Sequence, residues 1–507
     1  MRTVVVVFIL ASLFSFLQTS PTFPDPDSFY HAKMALLTRD QGILHQFPWL
    51  QATVLKDTYV NHHFLYHVFL IPFVTFFNPL TGIKFATVVF GAGATTILYL
   101  LLRILKIRYA WAWLLVLGAT TPFIYRLSLA KTPGVSVLFL LLGFWLMVKS
   151  TAPRSRAQSI ILHLAFFILN FLYVWLYSAW PFLFVLTVIH VLVTRYVSGS
   201  RQYGLLSTSI FGILAGLIFN PYFPENFQFA WWQIAEIGLG ITASGAGSVI
   251  EWLPYTPGAL FVLAFPLTIL WCVSIGLFVA YVVRVKDQKA TYLASDRGRV
   301  IVWCTTLIMT VLLTLGTLKA RRNIEYLAPF MVLSSALGCT LWGRIAQFKL
   351  RTLSLGVMTA LWALLVASVV TTVRNFTGTL HQFQSGIVPA SFASVAAWLR
   401  ENTPAGSVVL LPSWDRFPMF FYYNTHNYYL DGLHPRFTDL KTPGGAARLA
   451  DLRRDILPNS LAALKEFNVS YVVTNALRER FHDVLQDDDG AERVYQDSTH
   501  TVYQMLY

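Results

Sequence analysis

Two aspartates near the N-terminus lie in a polar segment of an otherwise apolar chain. Asp25 and Asp27 follow prolines within residues 23–72, whereas the 507-residue chain is 56% hydrophobic and only 12% charged. A carboxylate in such a loop can bind a divalent cation or act as a general base. Aspartate is also a common turn former, and composition alone supports both explanations equally. The candidate catalytic carboxylates are Asp27 and, less favoured, Asp25.

The same segment contains several histidines. His63 and His67 are four residues apart and would share one face of a helix, where two imidazoles can bind a transition metal. The segment has no HExxH pattern and its neighbouring residues are apolar, which favours a polar face at a membrane interface. The sequence alone establishes no cofactor. The candidate metals are Mn²⁺ and Mg²⁺, with Asp27, Glu251 and His63 as candidate ligands.

Glu251 lies in residues 247–258 (GSVIEWLPYTPG), after the glycine-rich residues 241–248. A glycine-rich stretch without apolar anchors is typical of a mobile loop. A single glutamate in such a loop is usually just solvated. Its functional alternative is a catalytic, metal-binding or positioning role close to Asp27.

Basic residues occur in two loops that the charge pattern assigns to the outer face. Arg321 and Arg322 lie in one of these loops, and Arg126 and Lys131 lie in the other. Cations on that side are unusual. Phosphate groups of a lipid substrate are their natural partners, because arginine binds phosphate through two parallel hydrogen bonds. Snorkelling of long side chains to the interface is the alternative.

Trp414 and Asp415 directly follow a predicted strand near the C-terminus, where binding residues are often placed. The neighbouring residues 420–423 are all aromatic. Such density suits contact with a carbohydrate or peptide acceptor. A plain domain core explains the four aromatic residues equally well.

Most of the elements that position these residues are predicted to be membrane helices. The mean hydropathy of +0.57 and the many long apolar runs exclude a set of soluble domains. The formal net charge of +14 is distributed in small basic clusters between apolar runs, which is typical of cytoplasmic loops and not of nucleic-acid binding. The three cysteines fall in or beside apolar runs and indicate core packing.

Apolar length predicts about eleven membrane spans. The first run fits either a cleaved signal peptide or a retained span, and retention is favoured because a rigid following loop needs a tether at both ends. Residues 63–77 are apolar but short, and are predicted to lie in the interface without crossing. The predicted spans are residues 1–20, 83–102, 109–123, 134–148, 159–176, 179–194, 204–220, 258–283, 299–317, 323–343 and 352–372.

The distribution of lysine and arginine supports this topology. Every loop assigned to the cytoplasm is basic, as the positive-inside rule requires. Counting residues 63–77 as a span would exchange the sides of all later loops. The topology therefore places on the outer face the C-terminal segment and the loops 20–82, 121–133, 221–257 and 318–322.

The composition changes at about Thr377 to that of a soluble α/β domain of roughly one hundred residues. This divides the chain into a transmembrane domain over 1–376 and a soluble domain over 377–507. Alternating patterns predict a helix over 391–404, strands over 407–412 and 427–433, a helix-to-strand unit over 461–475 and a closing hairpin over 494–507.

Taken in this order, the motifs resemble those of the GT-C superfamily of membrane glycosyltransferases, and most of all the STT3/AglB/PglB group of oligosaccharyltransferase catalytic subunits. Residues 27–33 (DSFYHAK) are similar to the first-loop motif of that family, and 248–251 (SVIE) to its SVSE-type motif. Arg322 before 326–329 (YLAP), and 413–415 (SWD), resemble its arginine and WWD motifs.

The resemblance implies a fold and a set of roles. The fold would be a polytopic α-helical membrane protein with a C-terminal soluble α/β domain on the outer face. Asp27 would be the catalytic carboxylate and a metal ligand, and Glu251 would approach the metal and the acceptor. Arg322 would meet the phosphates of the lipid-linked donor, and Trp414 with Asp415 would contact the acceptor.

The chain departs from the family after the third span. The family has a second acidic motif there, whereas residues 121–137 contain no aspartate or glutamate. Arg126 and Lys131 in that loop cannot complete the same metal site. Other GT-C enzymes transfer single sugars from polyprenyl monophosphate donors without a metal, and that chemistry fits better. Asp27 would deprotonate an acceptor hydroxyl, and the basic residues would stabilise the leaving phosphate with inversion at the sugar.

The leading hypothesis is thus an enzyme that moves a sugar from a polyprenyl-phosphate-linked donor to a glycan or protein acceptor on the non-cytoplasmic face. Its predicted location is the bacterial inner (plasma) membrane, and its partners are the lipid bilayer and these substrates, without nucleic acid. One alternative is a metal-dependent oligosaccharyltransferase. Another is a transporter or a non-catalytic scaffold, which the scarcity of charges within the spans disfavours.

Overall fold

The computed structural model is mainly helical, with one small sheet near the C-terminus. It describes residues 2–152, 155–238, 250–284, 296–345, 355–454, 460–475 and 480–506. The helices of the first half are α1 (Arg2–Leu17), α2 (Asp27–Gln41), α3 (Phe64–Phe76), α4 (Pro79–Ile104), α5 (Ala110–Gly118), α6 (Phe123–Ser128), α7 (Pro133–Ser150), α8 (Arg156–Leu176), α9 (Pro181–Ser198), α10 (Tyr203–Ile218) and α11 (Glu225–Trp231).

The second half of the chain contains further long helices and then the strands. Its helices are α12 (Pro257–Leu263), α13 (Phe265–Arg284), α14 (Arg297–Lys319), α15 (Ile324–Ile345), α16 (Leu355–Gln384), α17 (Ala390–Asn402), α18 (Phe417–Tyr423), α19 (Pro435–Lys441), α20 (Gly445–Arg453), α21 (Ser460–Glu466) and α22 (Arg480–Gln486). Its strands are β1 (Val408–Leu410), β2 (Tyr428–Tyr429), β3 (Val469–Asn475), β4 (Ala491–Gln496) and β5 (His500–Met505).

Internal contacts divide the chain into two units, each built from separate stretches of sequence. The helical unit comprises Met1–Thr19, Phe85–Asn220 and Ile250–Gln382. The sheet unit comprises Ser20–Lys84, Pro221–Val249 and Phe383–Tyr507. The first polar loop therefore belongs to the same unit as the C-terminal sheet. The boundary at residue 376 stays a prediction about where the membrane-embedded part ends.

The long apolar helices agree in part with the predicted spans. Within the described ranges, seven helices are long and apolar enough to cross a membrane, namely α4, α7, α8, α9, α14, α15 and α16. The count becomes eight if α12 and α13, which are bent by 100°, form one span. Three further apolar helices, α1, α3 and α10, are shorter. The total of about eleven stays a prediction.

The predicted span over 109–123 is not one continuous helix. Within it, α5 covers nine residues and ends at Gly118, while α6, of six residues, begins only at Phe123. Pro122 lies between them and cannot donate the backbone hydrogen bond that a continuous helix needs. The break matters for the site because it places Arg126 on a short separate helix.

Within the helical unit, α15 is buried along most of its length and packs against α13 and α14. Aromatic rings fill this core. The ring centroid of Phe278 lies 4.7 Å from that of Trp303 and 4.9 Å from that of Trp342. The first turn of this buried helix carries one of the site residues, Glu325.

The sheet has the strand order β2-β1-β3-β5-β4. Strand β1 pairs in parallel with β2 and β3, while β5 pairs antiparallel with β3 and β4. Parallel pairing needs crossover connections, and helices occupy them here. Inward-facing side chains such as Leu410, Leu464 and Val472 form the core beneath the sheet. The helix and strands predicted in this region are confirmed, including the closing hairpin.

The first polar loop shares a core with the C-terminal elements of the sheet unit. The backbone N–H of Tyr429 donates to the carbonyl of Trp49 at 2.8 Å, which lays the loop along β2. The Phe47 ring packs against Tyr59 at 4.7 Å and against Phe421 at 5.4 Å between centroids. Phe420 and Phe421 are fully buried, so the core explanation holds for these two aromatic residues.

Lys84 anchors the chain just before α2. Its ammonium donates hydrogen bonds to the carbonyls of Ser20 and Thr22 and lies 4.2 Å from the ring centroid of Phe23. Replacing it by methionine removes the donor from two buried carbonyls, and we expect Lys84→Met to lower the free energy of unfolding by about 1–3 kcal/mol. The measurement is thermal unfolding of the purified protein in detergent.

The control for this prediction is Lys56→Met. The Lys56 ammonium contacts the side chain of Gln51 at the surface, so its loss leaves no buried carbonyl unpaired. Equal unfolding midpoints for the two variants would contradict the anchoring role of Lys84.

Candidate active site

The two aspartates of the first loop have different local roles. Asp27 is the first residue of α2, directly after Pro26, whose φ of −67° suits a helix start. The Asp25 carboxylate accepts a hydrogen bond from the backbone N–H of Asp27 at 2.8 Å. Asp25 thus acts as the turn former. Asp27 is partly exposed at the helix N-terminus, where the helix dipole favours a carboxylate.

A hydrogen bond between two histidines connects α2 and α3 in the sheet unit. His31 Nδ1 and His67 Nε2 are hydrogen-bonded at 2.9 Å, and both side chains are buried. Burial, with a smaller effect of His62, lowers the pKa of His67 to about 3, so this imidazole is neutral at physiological pH. Neighbouring rings of His62 and His63 lie 3.8 Å apart between centroids. This arrangement fits a packed polar interface between two helices.

The donor set does not fit a metal centre within the part of the chain that is described. There, no three side chains of histidine, cysteine, aspartate or glutamate come together to hold an ion. Asp27 and His63 lie in the sheet unit, whereas Glu251 lies in the helical unit. Their shared role as metal ligands stays a prediction, and no reaction step below depends on it.

A compact group of charges lies in the helical unit. We call it the charge cluster, and its members are Arg126, Lys131, Glu251, Arg322 and Glu325. Arg126 is buried, and its guanidinium donates from Nε to Glu325 Oε2 at 2.8 Å and from Nη1 to Glu251 Oε2 at 2.5 Å. The Lys131 ammonium lies 3.6 Å from Glu251 Oε1. One carboxylate is therefore shared by two cations.

Short elements bring these side chains together. Arg126 lies on α6, and Glu325 lies in the first turn of α15. Glu251 lies on a single helical turn, Ile250–Trp252, next to the turn Arg321–Asn323. A backbone hydrogen bond of 3.1 Å from Arg321 to Leu253 joins the two turns. The side chains of the charge cluster thus come from short helices, single turns and a helix start.

Aromatic side chains hold the guanidinium of Arg322. It lies 4.4 Å from the ring centroid of Trp252 and 5.9 Å from that of Tyr177. It also donates a hydrogen bond to the Tyr177 hydroxyl. Contacts of a cation with ring faces orient the planar group and partly replace its hydration. Arg321, its neighbour, lies 5.1 Å from the Tyr255 ring instead.

Arg126 and Glu251 stay ionised at neutral pH. Burial acts to lower the pKa of Arg126, but Glu325 and Glu251 raise it well above its usual range. Burial acts to raise the pKa of Glu251, but Lys131, Arg126 and Arg322 hold it well below its usual range. Three cations against two carboxylates leave one positive charge in excess. An anionic ligand would balance that charge.

Sequence reasoning found four members of the cluster and missed Glu325. It predicted Arg126, Lys131 and Arg322 as phosphate ligands, and the structure places all three around Glu251. The missed signal was an acidic residue three positions after Arg322, at the start of an apolar helix, where a buried charge needs a partner. Residues 241–249, with Ser248 and Val249 of the SVIE motif, lie outside the described residues.

Trp414 and Asp415 form a turn directly after β1. Both are partly exposed in the turn Trp414–Arg416, and the Ser413 hydroxyl donates to the Asp415 carboxylate. The Trp414 ring lies 6.5 Å from that of His434 between centroids. The turn is accessible within the sheet unit, and acceptor binding there stays a prediction.

No protein-family model and no curated protein sequence matches the chain. Solved structures do match it. The archaeal oligosaccharyltransferase AglB from Archaeoglobus fulgidus, in complex with an inhibitory peptide and a dolichol-phosphate, superimposes with a TM-score of 0.63 at 13% identity, over 94% of this chain and 69% of AglB. ArnT from Cupriavidus metallidurans, bound to undecaprenyl phosphate, superimposes with a TM-score of 0.60 at 14% identity, over 99% of this chain and 97% of ArnT.

A third solved structure matches the chain at a similar TM-score and identity. The arabinofuranosyltransferase AftD from Mycobacteria superimposes with a TM-score of 0.63 at 14% identity, over 99% of this chain and 40% of AftD. The chain has the GT-C fold. The GT-C resemblance expected from the short motifs is therefore confirmed at the level of the fold. A shared fold does not by itself determine the roles of individual residues.

Proposed function

We propose that the chain is a membrane glycosyltransferase that transfers a sugar from a polyprenyl-phosphate-linked donor to an acceptor on the non-cytoplasmic face. The observation that carries this proposal is the charge cluster with its excess positive charge, in the unit that contains the long apolar helices. A lipid phosphate combines an anion with an apolar tail and suits both features. The ArnT and AglB structures, which hold undecaprenyl phosphate and a dolichol-phosphate, support this choice of donor.

The proposed reaction is a single displacement. Asp27 accepts the proton of an acceptor hydroxyl, and the hydroxyl oxygen attacks the anomeric carbon of the sugar. The bond between that carbon and the phosphate oxygen breaks, and polyprenyl phosphate leaves. Arg322, Arg126 and Lys131 stabilise the negative charge that develops on the leaving phosphate. One displacement of this kind inverts the anomeric centre.

The acceptor is proposed to meet the turn that carries Trp414 and Asp415. An indole ring packs well against a sugar face or a peptide, and a carboxylate can orient a hydroxyl by accepting its hydrogen bond. Both side chains are accessible, as an acceptor site requires. Arg321 is proposed as an outer contact of the donor phosphate.

The test of the function is transfer by the purified chain in lipid vesicles. Polyprenyl monophosphates that carry labelled pentoses or hexoses serve as donors, with glycan and sequon-peptide acceptors in parallel. The expected result is labelled acceptor together with released polyprenyl phosphate. Accumulation of a solute in the vesicles without release of polyprenyl phosphate from any donor would instead indicate a transporter.

We expect transfer to persist in EDTA, because residues 121–137 contain no aspartate or glutamate that could complete a metal site with Asp27. The measurement is the initial rate before and after chelation, and after addition of Mn²⁺. Loss of transfer to a sequon peptide in EDTA, with recovery on addition of Mn²⁺, would favour the metal-dependent oligosaccharyltransferase. An oligosaccharyltransferase from Archaeoglobus fulgidus has been crystallised with Zn and sulfate, which gives that outcome a precedent in the fold.

A further inference from the structure

We propose that Glu251 occupies the phosphate subsite of the donor-free chain and exchanges with the donor's phosphate group on binding. This inference rests on the proposed function and assigns a new role to one carboxylate of the charge cluster. In this role Glu251 is a gate of the anion site and does not touch the reacting atoms.

The two carboxylates of the cluster differ in how firmly they are held. The Glu325 side chain is fully buried and belongs to the long helix α15. The Glu251 side chain is 24% exposed and belongs to a turn of three residues. A partly hydrated carboxylate on a short turn can leave its partners at a lower cost than a fully buried one. Glu325 is thus the permanent partner of Arg126, and Glu251 is the exchangeable one.

The guanidinium of Arg126 has more hydrogen-bonding capacity than Glu251 uses. Its Nη1 donates to Glu251, whereas its Nη2 is buried and has no hydrogen-bond partner among the described residues. Only 7% of Arg126 is exposed, so solvent does not compensate for this donor. A phosphate can accept from both terminal nitrogens at once, because its oxygens match the spacing of the arginine fork. The arrangement therefore favours a phosphate over the single carboxylate contact.

The surrounding cations fit the same exchange. Lys131 lies 3.6 Å from Glu251, and Arg322 lies close enough to lower the pKa of that carboxylate. An anion that replaces Glu251 would meet all three cations. Departure of Glu251 without a replacement would leave three cations facing only Glu325. We therefore expect Glu251 to occupy the phosphate subsite most of the time in the donor-free chain, and the donor's phosphate group to replace it on binding.

The test measures the binding of a polyprenyl monophosphate to the purified full chain in detergent. Glu251→Gln keeps the size of the side chain but removes the charge that competes with the phosphate. If Glu251 occupies the phosphate subsite about nine-tenths of the time, the variant should bind the polyprenyl monophosphate about tenfold more tightly than the unmodified chain. Glu251→Asp, a shorter carboxylate, should tighten binding by a smaller factor.

Glu466→Gln is the matched control, because Glu466 forms an exposed ion pair with Arg448 in the sheet unit. It changes the net charge equally and should leave the affinity unchanged. If the unmodified chain binds the lipid and Glu251→Gln does not bind it more tightly, the exchange is overturned while the proposed function stands. If neither binds, both are overturned. Binding by Glu251→Gln alone would support the exchange.

Discussion

Asp27→Asn is expected to reduce the rate of sugar transfer by roughly 10²–10⁴-fold, because the variant cannot accept the proton of the acceptor hydroxyl. Asparagine is similar in size to aspartate and is tolerated at a helix start, so the protein should still fold and insert. The measurement is the initial rate with saturating labelled donor, together with the unfolding temperature of each variant.

Asp25→Asn is the matched control for this result. Its side-chain oxygen can still accept the hydrogen bond from the N–H of Asp27, which preserves the turn. Transfer close to that of the unmodified chain is expected. Full activity in Asp27→Asn with loss in Asp25→Asn would assign the base to Asp25. Full activity in both variants would remove the first loop from the chemistry.

Arg322→Met is expected to lower kcat by about 10²–10³-fold, because it removes a fixed cation from the leaving phosphate. The methionine side chain can still pack on Trp252, so the loss reports mainly on the charge. The fall in kcat should exceed the change in KM if Arg322 stabilises the transition state more than the bound donor. Steady-state kinetics with varied donor concentration separates the two parameters.

Arg321→Met provides the comparison. Its guanidinium contacts Tyr255 and the carbonyl of Pro254, away from the shared carboxylate of the cluster. We expect a smaller loss, of about tenfold or less, since partly exposed charges are screened by water. Equal losses in both arginine variants would show that the proposed geometry of the donor site is wrong.

Local sequence patterns predicted much of the fold. The helix over Ala390–Asn402 and the hairpin of Ala491–Gln496 with His500–Met505 follow from apolar periodicity and turn residues over a few positions. The stretch 109–123 was misjudged, because apolar length was given more weight than the proline at its end.

Local sequence patterns could not predict contacts between residues that are far apart in the chain. Arg126 is 125 residues from Glu251 and 199 from Glu325 in the chain, yet it contacts both. The sequence predicted the basic residues as phosphate ligands, without showing which carboxylates they contact. The structure instead shows a clamp already holding a carboxylate. Likewise, no local pattern predicted that the first loop shares an aromatic core with the C-terminal elements of the sheet unit.

The sequence by itself determined the membrane character, the helix and strand positions near the C-terminus, and the types of residue available for acid–base and phosphate chemistry. These properties depend on composition and on short-range periodicity. Only the tertiary structure decided that Glu251 and Glu325 share Arg126. The physical reason is that ion pairs and buried hydrogen bonds form where packed helices bring distant side chains within a few ångströms, and no local pattern encodes that packing.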